Sequence, residues 1–239
     1  MIYVSADLHG CNPKDFQQLL DRAGFCDEDF LFILGDVIDR GNRGAELLLW
    51  LTQKPNIQLI LGNHEALMLA CSFLFEEVSE DSLDRLTVQE LALVQNWIDN
   101  GGSPTLTGLR TLLKQDPESV YGILDYLREA PLFEEIELHG KRFILVHAGL
   151  GNFSADRPLT QYTPDELLLD RPSLAVHYDM DGRVIFGHTP SIRFGEEYAG
   201  RAVHTDSWSC IDVGVSLGYS PMLLRLDDMK EFYLVDVSG

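Results

Sequence analysis

Basic residues are scarce in this chain: 18 Lys and Arg stand against 38 Asp and Glu, a formal net charge of −20 over 239 residues. A protein that reads a phosphate backbone needs a stripe of Lys and Arg to release counterions, and no such cluster occurs, so tracking along nucleic acid is excluded. Docking on an anionic membrane surface is disfavoured for the same reason. Long apolar runs are missing too. The longest, Leu67–Phe75, is broken by Ser72 and has about half the length that a bilayer span requires. The opening MIYVSADLHG holds no basic residue and already has an aspartate at position 7, unlike a secretory signal. The four cysteines, Cys11, Cys26, Cys71 and Cys210, are far apart and form no C-x-x-C, so neither a disulfide framework nor a zinc knuckle is expected. These absences lead us to expect a cytoplasmic protein with reduced thiols, no membrane partner and no nucleic-acid partner.

What is present fits a folded globule. A hydrophobic fraction of 45% with 10% aromatics argues against disorder despite the charge. A chain of this size hides roughly 70% of its unfolded surface and needs no staples. We expect one domain over 1–239, because no repeat, low-complexity tract or linker interrupts the sequence. Residues 2–6, 30–34 and 57–61 read as short buried strands. Each runs into a polar loop and then a helical pattern, at 14–23, at 45–52 and after GNHE (62–65). That triple alternation predicts parallel strands of an α/β sheet. From about 66 to 130 only helical patterns occur, with acidic interruptions such as EEVSEDSLD (76–84), and a helical insertion is expected there. Strands return at 133–138 and 141–146, joined by a two-residue turn at His139-Gly140. Further strands are expected at 183–186, 201–204, 209–213, 221–226 and 231–236, in a mainly antiparallel arrangement.

Metal-capable side chains fall at the ends of these strands. Asp7 and His9 close the first, Asp36 the second, Asn63 and His64 the third; His147 ends FILV and His188 follows RVIF across a glycine. Ligands of open α/β sheets gather at the carboxyl ends of strands, so five segments aim polar groups at one place. The i, i+2 spacing of Asp7 and His9 predicts that both lie on one face. Carboxylates, an amide oxygen and imidazoles without a thiolate suit Mn²⁺, Fe or Zn²⁺ better than an all-oxygen Ca²⁺ cage. Six such residues exceed the needs of one open site and suit two cations roughly 3.5–4 Å apart that share an aspartate and a water.

Taken together, ADLHG, GDVIDRG (35–41), GNHE, VHAG (146–149) and FGHTP (186–190) resemble the signature segments of the calcineurin-like metallophosphoesterases, in their phosphoprotein phosphatase branch. The bacterial and bacteriophage lambda type serine/threonine phosphatases are similar also through WIDNGGSPTL (97–106) and LLLDR (167–171). The resemblance implies a β-sandwich of two sheets flanked by helices with a dinuclear centre on its rim. It implies Asp7, His9 and Asp36 at one cation and Asp36, Asn63, His147 and His188 at the other, with His64 as general acid, Asp39 as its orienting partner, and Arg40 and Arg171 as phosphate-binding residues. Departures are Ala6 in place of a glycine, Asn42-Arg43 after GDVIDRG, and the lack of a Trp in LLLDR.

On this basis we expect a hydrolase in which two divalent cations lower the pKa of a shared water from 15.7 towards roughly 7. His64 would protonate the leaving group, and Arg40 and Arg171 would grip phosphate oxygens bidentately. Serine/threonine phosphoprotein dephosphorylation is the leading expectation. Hydrolysis of a nucleotide phosphoanhydride, of the symmetrical diadenosine tetraphosphatase type, is the alternative, and a non-catalytic metal-binding module a minor third. A phosphorylated small molecule therefore stands beside a phosphoprotein as the expected partner. The cations and Arg40, Arg43 and Arg171 should make the mouth locally cationic. Trp97 to Gly102 lines a groove or packs the insertion, both readings being open; His139, His177 and His204 match no motif, and Tyr219 has no assigned role.

Overall fold

The computed structural model describes residues 1–75 and 86–234. The acidic stretch 76–84 and the last residues of the expected 231–236 strand lie outside them.

The first half alternates as its sequence pattern requires. β1 (Ile2–Ser5), α1 (Pro13–Ala23), β2 (Phe30–Leu34), α2 (Gly44–Leu51), β3 (Ile57–Ile60) and α3 (Asn63–Ala70) follow in order. β1 pairs in parallel with β2, and β2 with β3. Local chemistry sets the ends of α1: Asn12 accepts from the Lys14 N–H, Pro13 stands at the first turn, and Gly24 closes the helix at φ 73°. Three helices then continue the chain, α4 (Val88–Asp99), α5 (Ser103–Gln115) and α6 (Pro117–Glu129), and no strand interrupts the described part of 66–130.

The second half is richer in parallel pairing than expected. β4 (Phe133–Leu138) and β5 (Lys141–Val146) form the hairpin, with Leu138 opposite Lys141. His139 (φ 51°) and Gly140 (φ 72°) make the two-residue turn in the left-handed conformations that match strand twist. After α7 (Pro164–Leu168) come β6 (Arg183–Phe186), β7 (Val203–His204), β8 (Trp208–Cys210), β9 (Met222–Arg225) and β10 (Lys230–Tyr233). β5 and β6 pair in parallel, as do β6 and β8, because the segments 147–182 and 187–207 are long enough for crossovers. The antiparallel expectation holds for β4–β5, β7–β8, β1–β9 and β9–β10.

Two five-stranded mixed sheets result, ordered β10-β9-β1-β2-β3 and β4-β5-β6-β8-β7. Strand alternation divides their side chains cleanly. Val4, Phe32, Leu34 and Leu224 of the first sheet meet Phe143, Leu145 and Ile185 of the second in the sandwich interior. Tyr3, Leu31, Ile33 and Leu59 face the other way, onto Phe16, Leu47, Val120, Leu124 and Trp97 of the helices. Ile144, Val184 and Trp208 pack under the loops that carry Leu150, Tyr162 and Tyr178. The architecture is thus α/β, two mixed sheets flanked by helices. The parallel strands of both sheets end along one rim, where the polar loops collect. Among the described residues no helix is long and apolar enough to cross a membrane.

Candidate metal centre

Six loops meet at that rim, and their backbones are held in an unusual state. Among the described residues nine non-glycine residues have positive φ, and six of them are Asp7, His9, Asp36, Asp39, Arg40 and His188. Such conformations are costly for residues with a Cβ and cluster where a site is over-determined by its surroundings. They also correct the sequence argument for Asp7 and His9. β1 stops at Ser5, and left-handed backbone at 7 and 9, not strand alternation, brings both side chains to the rim. Gly187 is needed because Asp7 lies against its backbone: a Cβ there would overlap the Asp7 carboxylate.

The side chains converge in two groups that share Asp36. Asp36 Oδ1 lies 3.5 Å from His147 Nε2, whose other neighbours are Asn63 Oδ1 at 2.9 Å and His188 Nδ1 at 3.2 Å. Asp36 Oδ2 lies 3.8 Å from His9 Nε2 and 3.8 Å from His64 Nε2. Carbonyl oxygens set the tautomers. His147 Nδ1 donates to the Leu34 carbonyl at 2.7 Å and His9 Nδ1 to that of Ile38 at 3.0 Å, so each Nε2 presents a lone pair. The His147 lone pair therefore faces oxygens of Asn63 and Asp36, an arrangement that a divalent cation satisfies.

Electrostatics point the same way. Burial pulls His9 down to about 4 and, with the neighbouring His147, His188 down to about 2, so both rings are neutral at ordinary pH and able to donate a lone pair. Burial and the charges of Asp212 and Asp36 push the Asp7 carboxyl well above its usual range. Asp7 Oδ2 accepts from the His188 N–H at 2.9 Å, whereas Asp7 Oδ1 is buried without a hydrogen-bond partner. An orphaned carboxylate oxygen amid crowded acids and neutral imidazoles is the donor set of a cation site. The residues present fit two divalent ions, and the compact geometric groups are His9, Asp36, His64 and Asp36, His147, His188.

His64 stands apart by its second nitrogen. Its Nδ1 lies 2.7 Å from Asp39 Oδ2, and both side chains are buried. Burial alone would lower its pKa, but Asp36 and Asp39 outweigh that and raise it. The same Asp39 oxygen accepts from the Trp97 indole N–H at 2.9 Å, and the Asp39 N–H donates to Thr105 Oγ1 at 2.9 Å. Arg40 N donates to the Gly101 carbonyl at 2.9 Å. Gly102 lets the chain pass the Trp97 ring, which a Cβ would approach to 2.5 Å. The 97–105 segment thus braces the Asp39-Arg40 turn, which resolves the open reading of Trp97: its ring packs against the helices and its N–H serves the dyad. Trp97→Phe should lose about 1–2 kcal/mol of stability in urea titrations, since it leaves Asp39 with one donor fewer. Turnover of an alkyl phosphate should fall more than turnover of p-nitrophenyl phosphate, which relies less on proton donation.

Arg40 and Arg171 sit at the mouth. Arg40 Nη1 lies 3.0 Å from His9 Nε2 and Nη2 3.2 Å from His64 Nε2, while Nη1 also donates to Ser216 Oγ at 3.1 Å. Arg171 Nη1 donates to the His188 carbonyl at 3.0 Å. Both line a cleft of about 710 Å³ beside the cluster. Arg43 does not: it pairs with Glu46 at 2.9 Å on the surface, a correction to the cationic mouth expected from it. His204 bridges Ser209 and Glu231 between the edges of the two sheets, His139 forms the hairpin turn, and Tyr219 packs by Gly200 and Gly214.

Two buried acids escaped the sequence reading. Glu65 accepts the N–H groups of Asp36 and Gly62 on Oε2 and of Val37 and Ile38 on Oε1, holding the second and third loops together. Burial and the Asp36 charge push it up to about 7. Asp212 follows β8 and is pushed up to about 7 by burial and then by Asp36. The strand-end rule that selected Asp7 and Asp36 applies to SCIDVG as well and would have found it.

The sequence profile of the calcineurin-like phosphoesterases matches residues 1–192. The chain belongs to that family. Its members are phosphoester hydrolases by description, and curated relatives carry the name symmetrical bis(5'-nucleosyl)-tetraphosphatase. One from Paracidovorax citrulli is 26% identical over 88% of this chain and 63% of its own length. One from Chromobacterium violaceum is 28% identical over 98% of this chain and 94% of its own. The chain therefore spans under two thirds of the first relative and nearly all of the second. Among solved structures, one provisionally assigned as a diadenosine tetraphosphatase superposes with a TM-score of 0.63 at 17% identity, covering 96% of this chain and 90% of that one. A cold-active protein tyrosine phosphatase gives 0.57 at 15% identity over 96% and 77%. Both show the shared fold.

Proposed function

We propose that this protein is a dinuclear-metal hydrolase that cleaves phosphoanhydride bonds of dinucleoside tetraphosphates. The observation that carries this reading is the likeness, along 98% of the chain, to a Chromobacterium violaceum protein named for that activity. It replaces serine/threonine dephosphorylation as the leading reading. The motifs behind that expectation build only the metal core and its phosphate grip, which both reactions use, and so do not discriminate between them. In this reading 1–239, with the helical segment of about 66–130, acts as one metallophosphoesterase domain.

Asp7, His9 and Asp36 would hold one divalent cation, and Asp36, Asn63, His147 and His188 the other; Mn²⁺ would suit the mixed nitrogen and oxygen donors. When bound, the pair supplies Lewis acidity and a nucleophile at neutral pH. Arg40 and Arg171 grip the non-bridging oxygens of the attacked phosphate, their planar forks fixing its orientation. Asp39 holds the His64 ring by Nδ1 and favours its charged form, so that Nε2 presents a proton to the departing oxygen. Glu65 keeps the Asp36 and Gly62 loops in register throughout.

Comparing kcat/KM with Mn²⁺ on diadenosine tetraphosphate and on a phosphoserine peptide tests the reading. We expect the tetraphosphate to be preferred at least ~10-fold. Preference for the peptide would return the protein to the phosphoprotein phosphatases.

A further inference from the structure

Beyond the gripped phosphate, the cleft continues over the turn Ser191–Phe194, which follows the FGHTP segment. Its lining includes a third arginine, Arg193, beside Arg40 and Arg171, and contains no Asp or Glu. In a chain with a net charge of −20, a three-arginine wall without a carboxylate is a marked departure from the surface average. The arginines Arg43, Arg142, Arg157 and Arg225 each meet a carboxylate within 2.9 Å. Among the described residues Arg193 forms no ion pair, although Glu196 and Glu197 lie three and four positions further along the chain.

The turn that carries Arg193 is anchored from below. Ser191 is fully buried; its N–H donates to the Asp212 carbonyl at 2.8 Å and its hydroxyl to the Tyr198 carbonyl at 2.7 Å. The Phe194 ring is seated 5.6 Å from that of Trp208. An exposed, unpaired guanidinium on a fixed backbone turn, three residues beyond the mouth residue Pro190 and five beyond His188, is available to an anion. A phosphomonoester carries a single phosphate and has no second anion to offer to Arg193. A polyphosphate chain has.

We propose that Arg193 is a specificity-determining residue that binds a distal phosphate of the polyphosphate chain while Arg40 and Arg171 hold the phosphate under attack. The assignment rests on the polyphosphate reading above and names the feature that separates such substrates from monoesters at this site. Leu174, Pro190 and Leu217, which also line the cleft, add no competing charge.

The test uses competitive inhibition of p-nitrophenyl phosphate turnover by the full chain in excess Mn²⁺. The probes are orthophosphate and a non-hydrolysable methylene-bridged diadenosine tetraphosphate. Each protein is scored by the ratio of the two inhibition constants. Arg193→Gln should shrink the wild-type preference for the tetraphosphate analogue by about 10-fold, the worth of a hydrogen-bonded charge pair. Arg110→Gln, an exposed arginine of α5 outside the cleft, serves as the control and should keep the wild-type ratio. An unchanged ratio in Arg193→Gln overturns the assignment. Because binding is read against p-nitrophenyl phosphate, the result does not depend on tetraphosphate turnover. Absence of that turnover in the wild type would overturn the proposed activity separately.

Discussion

His64→Asn should lower kcat on an alkyl phosphate by about 10²–10⁴ while bound metal stays at the wild-type level. The size follows from the leaving group. An alkoxide leaves poorly without a proton, and His64 Nε2, which faces Arg40 at the mouth, is the nitrogen that remains once Nδ1 is engaged by Asp39 at 2.7 Å. A nucleoside diphosphate or p-nitrophenolate leaves well unaided, so the same variant should lose much less on those substrates. The experiment therefore reads two quantities, the slope of rate against leaving-group pKa and the metal content by elemental analysis. His64 also lies 3.8 Å from Asp36 Oδ2, close enough to be mistaken for a ligand. If metal content fell together with activity, or if all leaving groups suffered equally, the general-acid role would be wrong and His64 would belong to the coordination sphere.

Asp36→Asn should remove both cations together. Its two oxygens face different partners, Oδ1 towards His147 and Oδ2 towards His9, and no other described carboxylate lies in both groups. Loss of a residue that merely orients a ligand costs about 10–100-fold in metal affinity, so loss of the shared charge should cost more than ~100-fold in each site. Metal content after dialysis should drop towards zero and turnover with it. Retention of one full equivalent would show that Asp36 serves a single ion. Asp7→Asn offers a contrast: its Oδ1 is the orphaned oxygen and its Oδ2 is already held by the His188 N–H, so it should weaken one cation and spare the other.

Much of this architecture was legible in the residues because the deciding signals are local. FLFIL, FILV and VIF are apolar runs, and the strands β2, β5 and β6 that contain them have the expected bounds. His139-Gly140 reads as a tight turn and is one, since both residues take up left-handed backbone. The rim site was legible for a geometric reason: parallel strands place their carboxyl ends side by side, so residues that follow them in sequence meet in space. The hidden parts depend on distant partners. Trp97 serves Asp39 across 58 positions, and Glu65 gathers N–H groups from 27 to 29 positions away, which no periodicity reports. The β5-β6-β8 parallel run was missed because short strands do not disclose their pairing direction. Substrate choice stayed open between a phosphoprotein and a nucleotide because the motifs encode the chemistry of the attacked phosphate; in the proposed reading selectivity falls to cleft residues such as Arg193 that belong to no motif.

Product analysis is the most direct measurement of the central claim. The Mn²⁺-loaded protein is incubated with diadenosine tetraphosphate in ¹⁸O-water, and the nucleotides are separated and weighed by mass spectrometry. Two ADP per substrate are expected, with one ¹⁸O in one ADP of each pair, and no product in the Asp36→Asn variant. An intact tetraphosphate under conditions in which the same preparation releases phosphate from a phosphoserine peptide would contradict the proposed activity.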